Sequence, residues 1–345
     1  MNRKLVSALA PAFALALAAA LVGGGMSPAE AQERFHIGMP VPIPNLVHSV
    51  VYVAKELGYF RAEGLRVKIS SFRGGTRTHQ ALIGKGSDLD MADIPGPLLL
   101  AGIAKGSGMK VVYSFAAKNE AMLVTAPDIK SVAQLRGRKL GIEGTGGYSH
   151  IGMLSVMEKY GLGDKDVTYH RTPPPRRVAF LLTGKVDAVL IHIEQYYFLR
   201  EKKPVNELAR IWREAPHYLY AAFGAPEAKL KANREAYVKA VRAIIKATRW
   251  AYGNKEGMVR LARKFGRRES PEVLRRAYDV LKGGRIWAVN GGLPWRTMEW
   301  THKLNKRLKR YKGTPPRVAA MVDYSIILDA LKTVGVWGPP WDPAH

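Results

Sequence analysis

Two lobes of α/β architecture, each a mainly parallel sheet with helices on both faces, are predicted from three observations. Apolar strand patterns alternate with helical ones from Phe35 to Ile191. A second series of strand–helix units starts after Thr125 to Asp128, which reads as a crossing between lobes. The chain has 345 residues, enough for two lobes of ordinary size once an N-terminal leader is set aside.

Residues 1–31 read as that leader. Arg3 and Lys4 precede an apolar, alanine-rich run from Leu5 to Val22, and Ala29-Glu30-Ala31 has the small-x-small form of a cleavage site. An uncleaved membrane anchor is the alternative, but anchors rarely end in such a site. Gln32 then begins the mature chain, and a protein exported to the periplasm, without stable membrane insertion after cleavage, is expected.

Phe35–Met39 is the first strand, broken by Pro40, Pro42 and Pro44. Val47, Val50, Val51, Ala54 and Leu57 recur at helical spacing until Gly58. Tyr59–Gly64 turns the chain, Leu65–Ile69 alternates as a strand, and Gly74-Gly75 leads a helix through Ile83. Leu89–Ala92 is a short strand, and Pro95 and Pro97 open a helix to Ala104. Val111–Phe115 and Ala121–Val124 are further strands. Beyond the crossing come the strand Lys139–Ile142, a helix from Ser149 to Tyr160, Val167–His170, a helix from Arg176 to Leu182, and Val186–Ile191. The chain returns at Tyr218–Ala222 and continues in basic helices, Arg234–Tyr252 and Pro271–Leu281. The expected division is residues 32–125 for lobe one, 126–217 for lobe two and 218–345 for the return, with a two-strand hinge behind a cleft.

Composition narrows the chemistry. With no cysteine there is no disulfide, lipid-anchoring thiol, thiol nucleophile or cysteine-bound metal. The formal charge is +26, and the leader takes two positive charges and one negative with it, leaving +25. An anionic ligand steered by a positive field and a merely solvated basic surface both fit this excess. Nucleic acid fits poorly, because the run Lys303–Arg310 has helical spacing and no aromatic readout motif. No cofactor is expected.

In open α/β sheets ligands bind beyond the carboxyl ends of strands. That rule selects six segments. Asn45 and His48 follow strand one; Asn45 suits a helix cap or a ligand contact, and His48 a cleft donor or a surface position. Arg73, beside the paired glycines, could clamp a carboxylate or sulfonate with its planar fork. Asp93 and Ile94 precede Pro95, with Asp93 placed to cap the next helix. The loop Gly144 to His150, with Thr145, Gly147, Tyr148 and Ser149, has a strand, glycines and then a helix start, the arrangement of an anion cradle. Its glycine spacing does not make a nucleotide fingerprint. His192 and Glu194 follow the strand Val186–Ile191 and would alternate on one side if it continued; as metal ligands they lack a third partner. Trp287 would give an aromatic wall or pack in the core. Helix ends and net charge favour an anion, whereas Asp93, Glu143 and Glu194 favour an amine. A zwitterion, or a heteroaromatic ring with an exocyclic amine, satisfies both.

Several strings carry a family resemblance. They are Ala54-Lys55-Glu56-Leu57-Gly58-Tyr59-Phe60 with Glu63-Gly64-Leu65; Ala81 to Gly86 with Asp88 to Ala92; Ser131 to Ile142; Leu181 to Val189; and, more weakly, Met321 to Ser325. In this order and spacing the chain resembles the substrate-binding proteins of nitrate/sulfonate/taurine-type ABC importers, a group that includes binders of thiamine-pyrimidine precursors. The resemblance implies a two-lobed periplasmic-binding-protein fold of type II. It implies a monomer that captures a small organic ligand by hinge closure and delivers it to an ABC permease with its ATPase. It also implies cleft residues near His192. The alternatives are an enzyme on the same fold, similar to a thiamine-pyrimidine synthase, and a periplasmic sensor subunit. The ligand itself is carried by none of these strings.

Overall fold

The computed structural model describes residues 32–116 and 118–338. The expected leader lies outside the described residues. Two five-stranded sheets form the frame of one compact unit.

The first sheet contains β1 (Glu33–Met39), β2 (Leu65–Ser71), β3 (Met91–Pro95), β4 (Met109–Ala116) and β10 (Ala221–Pro226), in the order β2-β1-β3-β10-β4. The second contains β5 (Met122–Thr125), β6 (Lys139–Ile142), β7 (Thr168–Arg171), β8 (Ala188–Ile191) and β9 (Asn206–Arg210), in the order β7-β6-β8-β5-β9. β1 pairs in parallel with β2 and β3, and β6 with β7 and β8. One strand is reversed in each sheet. β10 is antiparallel to β3 and β4, and β5 to β8 and β9. These are the strands that receive the chain as it passes from one sheet to the other. Their neighbours run toward the cleft, so a strand entered from the cleft side runs away from it.

Four short or early helices serve the first sheet: α1 (Ser49–Glu56), α2 (Tyr59–Ala62), α3 (Gly75–Ile83) and α4 (Gly96–Ala104). The second sheet carries α5 (Tyr148–Met157), α6 (Arg177–Leu182), α7 (Ile193–Lys202) and α8 (Ile211–Glu214). The return supplies α9 (Glu227–Ala232), α10 (Arg234–Gly253), α11 (Lys255–Lys264), α12 (Pro271–Gly283), α13 (Trp295–Arg307), α14 (Val318–Met321) and α15 (Ser325–Val334). Helix α10 buries Val238, Val241, Ile244 and Ile245 along one stripe and packs on α1 and α15.

Local departures from the sequence reading have local causes. Tyr59–Ala62 is one helical turn rather than a plain turn, anchored by buried Phe60 and entered through Gly58 at φ 76°. β3 begins at Met91, not Leu89, because β1 fixes its register: Ile37 lies opposite Met91. Just before it, the His36 amide donates to the Asp90 carboxylate at 2.7 Å. β5 already belongs to the second sheet, so the crossing precedes Met122 instead of lying near Thr125 to Asp128. An apolar strand such as Ala121–Val124 reads alike for either sheet.

Candidate functional site

Parallel strand ends empty toward one cleft, among them β1, β2 and β3 from the first sheet and β6, β7 and β8 from the second. The cleft has two connected chambers. The inner one, about 50 Å³, is lined by residues that include His48, Asp93, Glu143, Tyr148, Arg177 and Tyr220. The outer one, about 500 Å³, is bordered by Arg73, Arg177, Arg267, Arg268 and Glu269. Pro40, Val41, Gly74, Pro174, Arg177 and His192 line both.

Three acid–base pairs surround the inner chamber. On the first-sheet side, His48 Nε2 lies 3.1 Å from Asp93 Oδ2 and 3.5 Å from the Tyr220 hydroxyl, and its Nδ1 meets Asn45 Oδ1. On the second-sheet side, Arg177 Nη2 donates to Glu143 Oε2 at 2.6 Å. The third pair joins His192, at the end of β8, to Glu120, on the stretch between β4 and β5. Glu120 Oε2 also accepts from the Ile193 amide at 3.3 Å. The Tyr148 ring stacks on His192 at 6.0 Å and 7°, its hydroxyl donates to Asn119 Oδ1 at 3.0 Å, and Arg177 lies 5.7 Å from its centroid.

Burial sets the proton inventory. It pushes the Glu120 carboxyl up to about 7 and the His192 imidazole down to about 3. Both shifts favour an uncharged acid against an uncharged ring. Their effects on stability have opposite signs. Glu120 is raised, so the folded state holds extra proton between about 4.5 and 7, and that contribution is lost as pH rises through 7. His192 is depressed, so its contribution is present above about 6.5 and lost as pH falls toward 3. Between about 4.5 and 6.5 the two slopes offset. His192→Phe should therefore become less stable as pH rises from 5 to 7, relative to wild type, in denaturant titrations at each pH. Parallel pH profiles for the two proteins would show that His192 adds no slope of its own, against the depressed imidazole described here.

The structure redistributes the residues singled out by sequence. It brings His48, Asp93, Tyr148 and His192 to the inner chamber and Asn45, Arg73 and His192 to the outer one. Asn45 does not cap α1, which starts four residues later; it holds the His48 ring, and its carbonyl accepts from Ser49. Asp93 caps nothing either, since it lies inside β3. Strand alternation turns Asp93 and Pro95 to the chamber and leaves Ile94 in the core. Thr145 is exposed and lines neither chamber. Glu194 does not alternate with His192, because β8 stops at Ile191. It sits in the first turn of α7, accepts from the Leu46 amide at 3.3 Å and lies 3.5 Å from Arg267. Trp287 is a core residue, 1% exposed and packed on Tyr278.

The anion cradle is filled from within. Glu143 folds over the start of α5, where the Ser149 amide donates to its two oxygens at 3.1 and 3.2 Å and the Ser149 hydroxyl donates as well. Gly147 is buried against it; a Cβ there would lie 2.7 Å from Glu143 Oε1. Ser149 and Gly147 thus hold a side chain and not the chamber.

Sequence reading missed Glu120, Arg177, Tyr220 and the Arg267–Glu269 turn as site residues. Arg177 was one of 54 lysines and arginines. Glu120 did leave a signal: an acid directly before an apolar strand. Gly75 shows how tight the inner wall is. An added Cβ would fall 2.3 Å from Pro95 Cδ. Gly75→Ala is expected to cost about 1–3 kcal/mol, read in denaturant melts. A neutral result would show that Pro95 gives way freely. No cluster of histidines and acids suited to a metal occurs among the described residues, and none of their helices is long and apolar enough to cross a membrane.

A family model described as NMT1/THI5 like matches residues 45–257. YtlA of Bacillus subtilis, which carries the name of a binding protein, is 26% identical over 221 residues, 61% of this chain and 65% of that protein. The chain therefore spans less than two thirds of that relative. Among solved structures, the nitrate-binding protein NrtA of Synechocystis is similar at a TM-score of 0.71 and 17% identity, covering 88% of this chain and 89% of that one. The alkanesulfonate-binding protein SsuA of Xanthomonas axonopodis reaches 0.69 and 17%, covering 84% and 98%. The desulfurization enzyme DSZB shares the fold as well, at 0.61 and 15%, covering 87% and 100%.

Proposed function

The chain belongs to the NMT1/THI5-like family, and from that premise we propose that it is the periplasmic solute-binding component of an ABC importer. It captures a small organic ligand between the two sheets and delivers it to a permease. One observation carries the reading. Asp93 Oδ2 and Arg177 Nε belong to side chains 2% and 3% exposed, both line the inner chamber, and both lack a hydrogen-bond partner among the described residues. His48 Nε2 lies 3.1 Å from Asp93 Oδ2 without making a hydrogen bond to it. A buried acceptor and a buried donor left unmet cost free energy, and a ligand presenting an N–H group and an acceptor would meet both. An amino acid-like zwitterion or an amino-substituted heterocycle has those groups. Any anionic tail would point to Arg73 and Arg268, which make no ion pair among the described residues.

Binding both walls favours the closed arrangement, so ligand shifts the population toward it. The test is a thermal-shift panel of amino acids, aminosulfonates, aminopyrimidines, aromatic acids, nitrate and simple sulfonates. A ligand at a hundred times its dissociation constant should stabilise by roughly 2.7 kcal/mol. Hits confined to compounds with an N–H donor support the reading; a panel without hits removes it. An enzyme is the second reading, because two histidine–acid pairs face one chamber. Recovery of the hit chemically changed would favour it.

A further inference from the structure

We propose that Glu143 is a tethered anion that occupies the N-terminal cradle of α5 and bars small free anions from it. The inference rests on the cleft being a solute site, and concerns what that site refuses.

Four features define the cradle. Helix α5 runs ten residues from Tyr148 to Met157, so its first amides present a positive dipole end. The Ser149 amide and hydroxyl point at one spot. Arg177, 3% exposed, brings Nη2 to the same spot at 2.6 Å. Its Nε has no hydrogen-bond partner among the described residues, and the Arg177 side chain lines the chamber. These donors are what a nitrate, sulfate or sulfonate group requires, and the Glu143 carboxylate already satisfies them. Its backbone is held close by, since the Glu143 amide lies 3.2 Å from Ser149 Oγ. Gly147 allows the fit, because any side chain there would meet the carboxylate.

A free anion must then displace a carboxylate that cannot diffuse away, and must lie beside its charge. Selection passes to Asp93 and Arg177 Nε inside and to the arginines at the mouth. Glu143 thereby determines specificity by exclusion. Removing it leaves an uncompensated arginine and an open helix end, which together form a site for a small oxyanion.

Calorimetric titration with sodium sulfate and with methanesulfonate tests this directly, and needs no knowledge of the natural ligand. Wild type should bind neither in the millimolar range. Glu143→Ala should bind sulfate at least tenfold more tightly than wild type, and sulfate should raise its melting temperature. Glu143→Gln, whose amide still fills the space, should gain little. Should Glu143→Ala fail to fold, Glu143→Ser, which keeps a hydroxyl beside Arg177, takes its place. The proposal is overturned if wild type binds sulfate as well as the variants do, or if both folded small variants bind none. Failure of every organic compound in the panel would sink the solute-binding reading and leave the sulfate result standing by itself.

Discussion

Replacing Arg177 by Met is expected to lower the unfolding free energy by about 3–5 kcal/mol, the range for breaking a buried ion pair from one side. Arg177 is 3% exposed and Glu143 12%, so neither charge is well screened by solvent. Without Arg177 the Glu143 carboxylate keeps, among the described residues, the Ser149 amide and hydroxyl. Those bonds place the expected loss toward the lower end. The double variant Arg177→Met/Glu143→Gln should recover most of it, because no unpaired charge then remains buried. Denaturant titrations of the wild type, the two single variants and the double variant measure the coupling. A single-variant loss below about 0.5 kcal/mol would mean that water reaches the pair as it does at a surface.

Asp93→Asn is expected to weaken the best ligand of the panel roughly ten- to a hundredfold, the worth of one hydrogen bond to a charged group. Asn keeps the shape of the β3 side chain but offers the ligand a weaker acceptor. The effect on folding should be smaller, about 1 kcal/mol, because the backbone pairing of Asp93 with Phe223 is untouched. Affinity equal to wild type would place the ligand away from Asp93. His48 is the control. Its Nε2 lies 3.1 Å from Asp93 Oδ2, so His48→Gln, which leaves the Asp93 carboxylate in place, should weaken the ligand less than Asp93→Asn does.

Much of the frame was legible because its determinants are local. The periodicity of Val47, Val50, Val51 and Ala54, the glycine pair before α3 and the prolines around α4 act within a few residues of themselves. The strand-end rule then brought Asn45, His48, Arg73, Asp93, Tyr148 and His192 to the chambers, because topology alone decides where strand ends lie. What failed was anything decided by a distant partner. The loop Gly144 to His150 read as an open cradle because nothing in sequence shows the Glu143 side chain folding back over the start of the helix that follows it. Glu120 meets His192 across 72 positions, and Arg267 approaches Glu194 across a similar span. Trp287 read more readily as core than as wall, and it is core, packed on Tyr278.

The central claim is that this cleft holds a small solute through Asp93 and Arg177 and lets it go unchanged. Calorimetric titration of the strongest panel hit against wild type and Asp93→Asn, followed by mass spectrometry of the released compound, tests it most directly. One ligand per chain, recovered intact and bound at least tenfold more weakly by Asp93→Asn, is the predicted result. Equal binding by the two proteins, or a ligand returned as a different compound, would contradict it.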